Sequence, residues 1–418
     1  MRKNRQGESV RKAGRSLVAA VMLFYFSAFL LLALRDYAWQ GFALAGAVPV
    51  MIWLGTYLIP ALIGGDRLLL SLTNFLCALG VLVLYDTNPA YAYRQAVAYG
   101  VGLAAMACCV WAAQRLSSWR LPILLLAPAS LVLLALPLAL GQEIYGAKNW
   151  LFIGGVSIQP SEAVKISLLI ILARCMSRRR FWYWVLFAAA CLGLLMLQKD
   201  LGTALLYFSV ALLMYYAATG SLWVLAAGAA GGVGASVLGY RMFAHVKRRV
   251  AIWRNPWADY DNAGYQLVQG LMAIASGGLW GVGLGLGSPK TIPVYHTDFI
   301  FAVICEQFGL IFGLCVLAMY VALVWRGAVI AMGASGSFHD LLAMGATLMI
   351  GLQTFVIIGG VIKLIPLTGV TMPFVSYGGS SLVSSMCLVG LIQGVANRNQ
   401  QDLAEDTRLA METEEVGL

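Results

Sequence analysis

Residues 296–325 read HTDFIFAVICEQFGLIFGLCVLAMYVALVW, a polar triplet followed by a long apolar run with one charged residue, Glu306. A helix needs about 20 predominantly apolar residues to cross the roughly 30 Å hydrocarbon core of a bilayer. The segment 299–325 exceeds that length. This stretch therefore predicts a transmembrane helix that carries polar side chains at one end.

The rest of the chain has the composition of a membrane protein. Of its 418 residues, 61% are hydrophobic and only 11% are charged, whereas soluble domains carry roughly 25% charged residues. Further segments approach or exceed the spanning length, and one more, 162–173, is shorter and begins with polar residues. The longer segments are 16–34, 42–63, 68–85, 96–113, 121–140, 181–197, 201–218, 222–239, 341–361 and 374–396. We therefore predict an all-α, polytopic integral membrane bundle of about 12 transmembrane segments.

Basic residues are concentrated in alternate loops of this arrangement. They occur in the tail 1–15, in the loop 115–120 and in the stretch 174–180. Because positively charged loops tend to stay in the cytoplasm, this distribution predicts that both termini are cytoplasmic. The formal net charge of +10 is thereby explained by topology, and nucleic acid is not expected as a partner. The eight cysteines form no Cys-x-x-Cys pair and are expected as small buried side chains.

Three unusual stretches fall on the opposite, outer face when the spans are counted. They are 141–161, which leads into the short segment, 198–203, which joins two spans, and 240–298, a long loop before the segment at 299. The convergence of polar and charged residues from these stretches predicts that a functional site lies at the outer face.

The start of the short segment combines opposite charges. Glu162 and Lys165 are three residues apart, so they share one helical face and can form a pair. One interpretation is structural, with Ser161 capping the helix and Glu162 favouring its positive N-terminus. Against it stands a cost of about 2.5–3.5 kcal/mol for an ionisable side chain at the centre of a span. Charged residues such as these, placed in a span in spite of that cost, favour a functional site or a pathway for an ion or substrate.

Lys199 and Asp200 connect two apolar runs without turn residues. Asp200 either caps the helix that follows or faces the same polar cavity as Glu162. The shortness of the connection favours the cavity.

Asp298 also allows two interpretations. Thr297 or Asp298 could cap the following span. Alternatively, Asp298 is a carboxylate in a partly desolvated pocket, where its pKa would rise to suit a general base near neutral pH. Glu306 follows eight residues later, about two helical turns, and is expected on the same face. Two carboxylates on one face of a membrane helix are hard to explain by packing and favour the reactive site.

Glycine-rich stretches flank this region. The run Gly281-x-Gly283-x-Gly285-x-Gly287 lacks the Gly-Lys-Ser/Thr of a phosphate loop, so nucleotide binding is not expected. Its glycines instead permit close, irregular packing of backbone at membrane depth. The run 376–381, after two prolines, either allows close helix approach or breaks a helix beside the cavity.

Several motifs together resemble one known family. They are Asn149-Trp150-Leu151, Gln159-Pro160-Ser161-Glu162 with Lys165, Asp200-Leu201-Gly202-Thr203, Gly277-Gly278-Leu279-Trp280-Gly281, His296-Thr297-Asp298-Phe299-Ile300-Phe301-Ala302 and Val375-Ser376-Tyr377-Gly378-Gly379-Ser380. In this order, over about residues 68–398, they resemble the SEDS family (shape, elongation, division and sporulation). The resemblance implies a membrane core of ten spans at 64–398, a two-span extension at 1–63 and a cytoplasmic tail at 399–418.

The resemblance also implies a function. RodA-, FtsW- and SpoVE-like members are peptidoglycan glycosyltransferases that polymerise lipid II at the outer face of the bacterial cytoplasmic membrane, beside a class B penicillin-binding protein. The expected role is wall synthesis for cell shape, division or sporulation. Other elongation or division proteins and membrane lipids are the further expected partners. The chain departs from the family at Lys148, where arginine is frequent, and at Gln307, where a second glutamate is frequent.

The family's essential aspartate matches Asp298, which implies that this residue is the general base of an inverting transfer. The departing diphosphate needs cations, and the candidates are Lys148, Lys165, Lys199, the Arg248–Arg249 pair, or a divalent metal ion such as Mg or Mn. Trp150 is expected to stack on a sugar or polyprenyl unit. The other residues expected to bind substrate or shape its cavity are Glu162, Asp200, His296, Thr297, Glu306, Ser376 and Ser380.

Two other classes of protein fit part of the pattern. A lipid II flippase or another transporter would also use intramembrane charges and a broken helix, but no inverted repeat is evident and the long outer loop ends on a carboxylate. A non-catalytic divisome scaffold would not require intact site motifs. The sequence therefore favours the transferase.

Overall fold

The computed structural model describes residues 2–115, 120–144, 146–334 and 336–416. The centre of the predicted basic loop 115–120, at residues 116–119, lies outside the described residues. The helices are α1 (Arg2–Asp36), α2 (Trp39–Trp53), α3 (Ile59–Ile63), α4 (Arg67–Thr87), α5 (Pro89–Arg115), α6 (Arg120–Leu140), α7 (Pro160–Ser177), α8 (Phe181–Leu197), α9 (Leu201–Thr219), α10 (Leu222–Met242), α11 (Ala244–Arg254), α12 (Tyr265–Gly277), α13 (Ile300–Met332), α14 (Ser337–Val361) and α15 (Gly379–Val416). A π-helical turn, Leu54–Leu58, joins α2 to α3.

The predicted spans lie on these helices, and the span 42–63 comprises most of α2, the π-helical turn and α3. The all-α polytopic bundle is confirmed. Within the described residues, 9 helices are long and apolar enough to cross a membrane, and the number of spans stays a prediction. The last helix differs from expectation, because residues 374–378 are not helical and α15 begins at Gly379. It then continues to Val416, so the predicted tail 399–418 begins as an extension of that helix.

A small sheet between α6 and α7 was not expected. It has three antiparallel strands in the order β1 (Gln142–Ile144), β2 (Ala147–Ile153) and β3 (Val156–Ile158). Gly154 and Gly155 both have positive φ (58° and 79°) and form the turn from β2 to β3, as two-residue hairpins require. The sheet packs against α6, α7 and α15.

Polar contacts mark two opposite ends of the bundle. At the end that we call outer, Arg35 lies 3.2 Å from Asp86, and the backbone amide of Lys148 donates to Gln198. At the inner end, Arg326 lies 2.6 Å from Asp66. The stretches 141–161 and 198–203 therefore meet at this end, and Arg35 also donates to the carbonyl of Gly285 in the stretch 240–298.

Helix α13 is broken inside its apolar run, at Gly309 (φ 85°, ψ 168°). Residues 278–288 of the long outer loop pack against this break, and we call these residues the glycine loop. Amides of Val282 and Gly283 donate to the carbonyls of Glu306 and Gln307 at 2.9 and 3.0 Å. In return, the amides of residues 310 and 311 donate to the carbonyls of residues 278 and 279 at 2.9 and 3.3 Å.

These four hydrogen bonds explain why the loop is rich in glycine. A Cβ atom added at Gly281 would lie 2.2 Å from the carbonyl oxygen of Gln307, and one at Gly309 would lie 2.3 Å from that of Leu279. Only residues without a side chain allow the two backbones to approach so closely. Backbone groups inside a membrane protein must be satisfied internally, and the glycine loop does this for the broken helix.

The substitution Gly309→Ala should therefore destabilise the protein. Its left-handed backbone alone costs an alanine on the order of 1–3 kcal/mol, and the clash with Leu279 adds to that cost. Thermal unfolding followed by size-exclusion chromatography should show a lower midpoint. Gly193→Ala is the matched control, since Gly193 lies in α8 with nothing within 4 Å of the added Cβ. Equal midpoints for both variants would contradict the assigned break.

Candidate active site

The segment 296–298 leads directly into α13 at the outer end. The backbone amide of Tyr377 donates to the carbonyl of His296 at 2.9 Å, and the hydroxyl of Ser376 donates to the carbonyl of Thr297 at 2.6 Å. The helix begins after Phe299 without a side-chain cap. Neither Thr297 nor Asp298 is therefore the cap that one interpretation expected, and the connection 362–378 holds the segment instead.

Asp298 as a whole residue is half-buried, but its carboxyl group is buried, and this burial raises its pKa to about 6. The hydroxyl of Thr297 and the charge of Arg249 oppose this rise, because both favour the ionised form. A Cβ atom on Gly369, which has φ +75°, would lie 3.7 Å from Nη2 of Arg249 and 3.9 Å from Oδ2 of Asp298. The acid and the guanidinium thus border the same glycine.

Arg249 connects this acid to the start of α9. Its Nη1 donates to the carbonyl of Thr368 at 3.0 Å. The same carbonyl lies against Gly202, where an added Cβ would be 2.7 Å from the oxygen. The loop around Thr368 therefore brings the 200–203 motif and Asp298 to the same part of the outer end.

Asp200 is the N-cap of α9, as one of its two interpretations predicted. Its Oδ1 accepts from the amide of Thr203 at 3.1 Å. Its Oδ2 accepts from the side-chain amides of Asn149 at 2.8 Å and Gln159 at 3.0 Å. Asp200 therefore joins the sheet, the start of α7 and the start of α9.

Glu162 and Lys165 form the predicted ion pair, 2.6 Å apart, with side chains 13% and 4% exposed. Lys165 also donates to Gln353 of α14 at 3.2 Å, and the hydroxyl of Ser384 in α15 donates to Glu162. The pair thus links three helices. The prediction that Ser161 caps α7 was wrong, because Pro160 occupies the first helical position, where its fixed φ and missing N–H are tolerated.

The other residues that were predicted to bind substrate make separate contacts. The ammonium of Lys148 donates to the carbonyl of Leu138 at 2.8 Å. Lys199 is exposed and lies 3.8 Å from Glu143. Trp150 is half-buried in β2, and Ser380 is half-buried in the first turn of α15.

The expectation that Glu306 shares a helical face with Asp298 was wrong. Asp298 precedes α13 and is not part of it. The carboxylate of Glu306 instead faces the glycine loop, where Oε1 accepts from the amide of Ser288 at 3.0 Å. Glu306 therefore holds the loop.

Two parts of the site were not predicted from the sequence. Gln353 is a polar residue in an apolar span, and the cost argument used for Glu162 could have identified it. The ring of Tyr91 lies 4.8 Å from that of His296 and 4.5 Å from that of Tyr377, but no sequence signal placed it there. Burial lowers the pKa of His296, which favours a neutral imidazole in this stack.

Metal-binding side chains are not gathered at the site. Across the described ranges, no three His, Cys, Asp or Glu side chains are close enough to hold a metal ion. The expected divalent ion, Mg or Mn, therefore stays a prediction.

Breaking the Glu162–Lys165 pair should destabilise the bundle strongly. Lys165→Met leaves a carboxylate with no cation in a largely buried position, which costs about 3–5 kcal/mol. Lys165→Met combined with Glu162→Gln should be more stable than Lys165→Met alone, because no uncompensated charge remains. Thermal unfolding of the wild type, Lys165→Met, Glu162→Gln and the double variant measures the coupling. Additive losses from the two single changes would contradict it.

Comparisons with known proteins agree with this architecture. The model of the FtsW/RodA/SpoVE family, described as cell cycle protein, matches residues 66–401. "Peptidoglycan glycosyltransferase RodA" of Mycobacterium tuberculosis is 35% identical over 302 residues, which are 66% of this chain and 64% of that protein. "Probable peptidoglycan glycosyltransferase FtsW" of Geobacter sp. (strain M18) is 32% identical over 80% of this chain and 97% of its own length.

A solved structure described as a peptidoglycan synthase complex contains a chain of the same fold. It superimposes with a TM-score of 0.69 at 30% identity, over 81% of this chain and 99% of that chain. The family model covers most of the sequence, including every motif that resembled the SEDS family. The chain therefore belongs to the FtsW/RodA/SpoVE family of cell cycle proteins, the family that its motifs indicate.

Proposed function

We propose that the protein is a peptidoglycan glycosyltransferase that polymerises lipid II, with Asp298 as its general base. The observation that carries this proposal is a buried carboxyl group, with a pKa of about 6, beside an arginine at the outer end. A base is most effective when its pKa lies near the working pH. The names of the relatives support the same activity.

The proposed reaction is one displacement. Asp298 takes the proton of the acceptor sugar's 4-hydroxyl while that oxygen attacks the anomeric carbon of the donor. The bond between the anomeric carbon and the diphosphate oxygen breaks, its electron pair leaves with the polyprenyl diphosphate, and the configuration inverts. Because the diphosphate is a good leaving group, the reaction needs one base and a cation rather than a second acid.

We assign the neutralisation of the diphosphate to Arg249. It borders Asp298 across Gly369, and its guanidinium is exposed. Planar guanidinium groups suit phosphate oxygens. Lys165 is buried and already paired, and Lys199 lies 3.8 Å from Glu143 beside the sheet. The single ammonium of Lys148 is used by the carbonyl of Leu138, whereas Arg249 uses only Nη1 for that of Thr368. A divalent ion that arrives with the substrate would add charge neutralisation to that of Arg249.

The surrounding residues position the reacting groups. His296, Thr297 and Ser376 fix the backbone that carries Asp298. The Glu162–Lys165 pair and Asp200 hold the surrounding helices together, and Trp150 and Ser380 are the proposed sugar contacts. We place the site at the outer face of the bacterial cytoplasmic membrane, with both termini in the cytoplasm and a class B penicillin-binding protein as partner.

Replacing the base tests this proposal. Purified Asp298→Asn should make glycan strands from lipid II at least about 10²–10⁴-fold more slowly than wild type, because the amide cannot accept the proton. The assay is polymerisation with the cognate penicillin-binding protein and divalent ions present, resolved by chain length. Asp261→Asn, an exposed acid of the same loop, is the control and should stay active.

Other outcomes would change the assignment. Glycan strands from both wild type and Asp298→Asn would remove Asp298 from the centre of the reaction. No product from the folded wild type would favour a transporter, which a lipid II flipping assay would then examine.

The pH dependence should report the same carboxyl group. In the wild type, kcat/KM should fall as the pH drops through about 6, because Asp298 becomes protonated. Arg249→Ala should lower kcat/KM by about 10²-fold. It should also move the midpoint to higher pH, since the arginine holds that pKa down. Arg248→Ala, its exposed neighbour, should leave the midpoint in place. A midpoint that Arg249→Ala does not move would contradict the pairing.

A further inference from the structure

The N-terminal extension reaches the outer end through one side chain. Arg35 lies in the last turn of α1, before the region that the family model matches. Its guanidinium lies 3.2 Å from Asp86 at the end of α4 and donates to the carbonyl of Gly285 in the glycine loop at 3.3 Å. Its Nε also donates to Asp36 at 2.8 Å, which fixes the direction of the side chain.

The contact continues from Asp86 into α13. The side chain of Asp86 is 6% exposed, and its Oδ2 accepts from Nε2 of Gln307 at 2.5 Å. Gln307 is buried and lies two residues before the break in α13 at Gly309. Its carbonyl accepts from the amide of Gly283. Arg35 therefore touches the glycine loop directly and the broken helix through Asp86.

The backbone of the glycine loop lies in close contact with the guanidinium of Arg35. Gly285 has φ +77°, and a Cβ atom added there would lie 2.0 Å from Nη1 of Arg35 and 2.8 Å from Oδ1 of Asp86. Gly285 therefore allows the backbone to pass against the ion pair. The side chain of Arg35 is 42% exposed, so solvent screens the pair in part. The pair exceeds an ordinary surface pair only because Asp86 is buried.

We infer that Arg35 is a positioning residue that locks the glycine loop onto the break in α13. Asp298 is connected to this lock from both sides. The outer loop runs from residue 288 to Asp298, and Phe299 links Asp298 to the first turns of α13, which reach Glu306. The extension at 1–63 thus contributes to the geometry of the site. The effect on the reaction rests on the proposed function, whereas the lock itself does not.

Hydrogen exchange of the full-length protein tests the lock without substrate. In Arg35→Ala, the amides of Val282 and Gly283 should exchange roughly tenfold faster or more, because a charge-assisted contact that holds their loop is lost. Arg35→Lys should give an intermediate rate, since one ammonium cannot reach Asp86 and the Gly285 carbonyl in the same fork geometry. Arg94→Ala removes an exposed arginine at the start of α5 and should change nothing.

Activity measures the consequence for Asp298. Small displacements of a reacting group lower rates steeply, so kcat should fall roughly 10- to 100-fold in Arg35→Ala. KM should stay the same, because the proposed diphosphate contact at Arg249 is not touched. Gly285→Ala disturbs the lock from the loop side and leaves α1 unchanged, so it should reproduce both effects even if Arg35→Ala folds poorly.

Three results would decide against the inference. Unchanged exchange at Val282 and Gly283 in both variants would overturn the lock. Faster exchange with an unchanged kcat would overturn the positioning role, and an equal loss in Arg94→Ala would show a general effect of charge. If the wild type makes no product, the proposed function fails while the exchange rates still decide whether Arg35 locks the loop.

Discussion

The hydrogen bonds between the glycine loop and α13 are the interaction on which the outer end depends. A break in an apolar helix exposes carbonyl and amide groups that lipid cannot satisfy. Here the backbone of the outer loop satisfies them at 2.9–3.3 Å. The loop can approach only because glycines occupy the points of contact. A long outer loop and a discontinuous helix are therefore parts of one structure.

This constraint places Asp298 in a short segment with fixed ends. On one side the glycine loop is held by Glu306 and by the broken helix. On the other side the connection before α15 binds the backbone of His296 and Thr297. Such a segment holds the buried carboxyl group of Asp298 beside Arg249, although Asp298 is not part of a helix. Its raised pKa follows from that placement.

The sequence predicted most of the helices because their apolar runs are long and their charges are few. It also predicted the Glu162–Lys165 pair, whose spacing of three residues fixes a shared helical face. It failed for Glu306, because the same-face argument assumed that the helix includes Asp298. It also failed for the sheet, whose short strands carry little periodicity. Contacts between distant segments, such as Tyr91 with His296, depend on packing that local patterns do not contain.

The position of bound lipid II tests the central claim most directly. We would determine the structure of the Asp298→Asn protein with lipid II by cryo-electron microscopy and measure distances to two groups. We expect the acceptor 4-hydroxyl within about 2.6–3.2 Å of the side chain at residue 298, and the donor diphosphate on the guanidinium of Arg249. A diphosphate bound at Lys165 or Lys199, with both sugars distant from residue 298, would contradict the assignment of the base and of the cation.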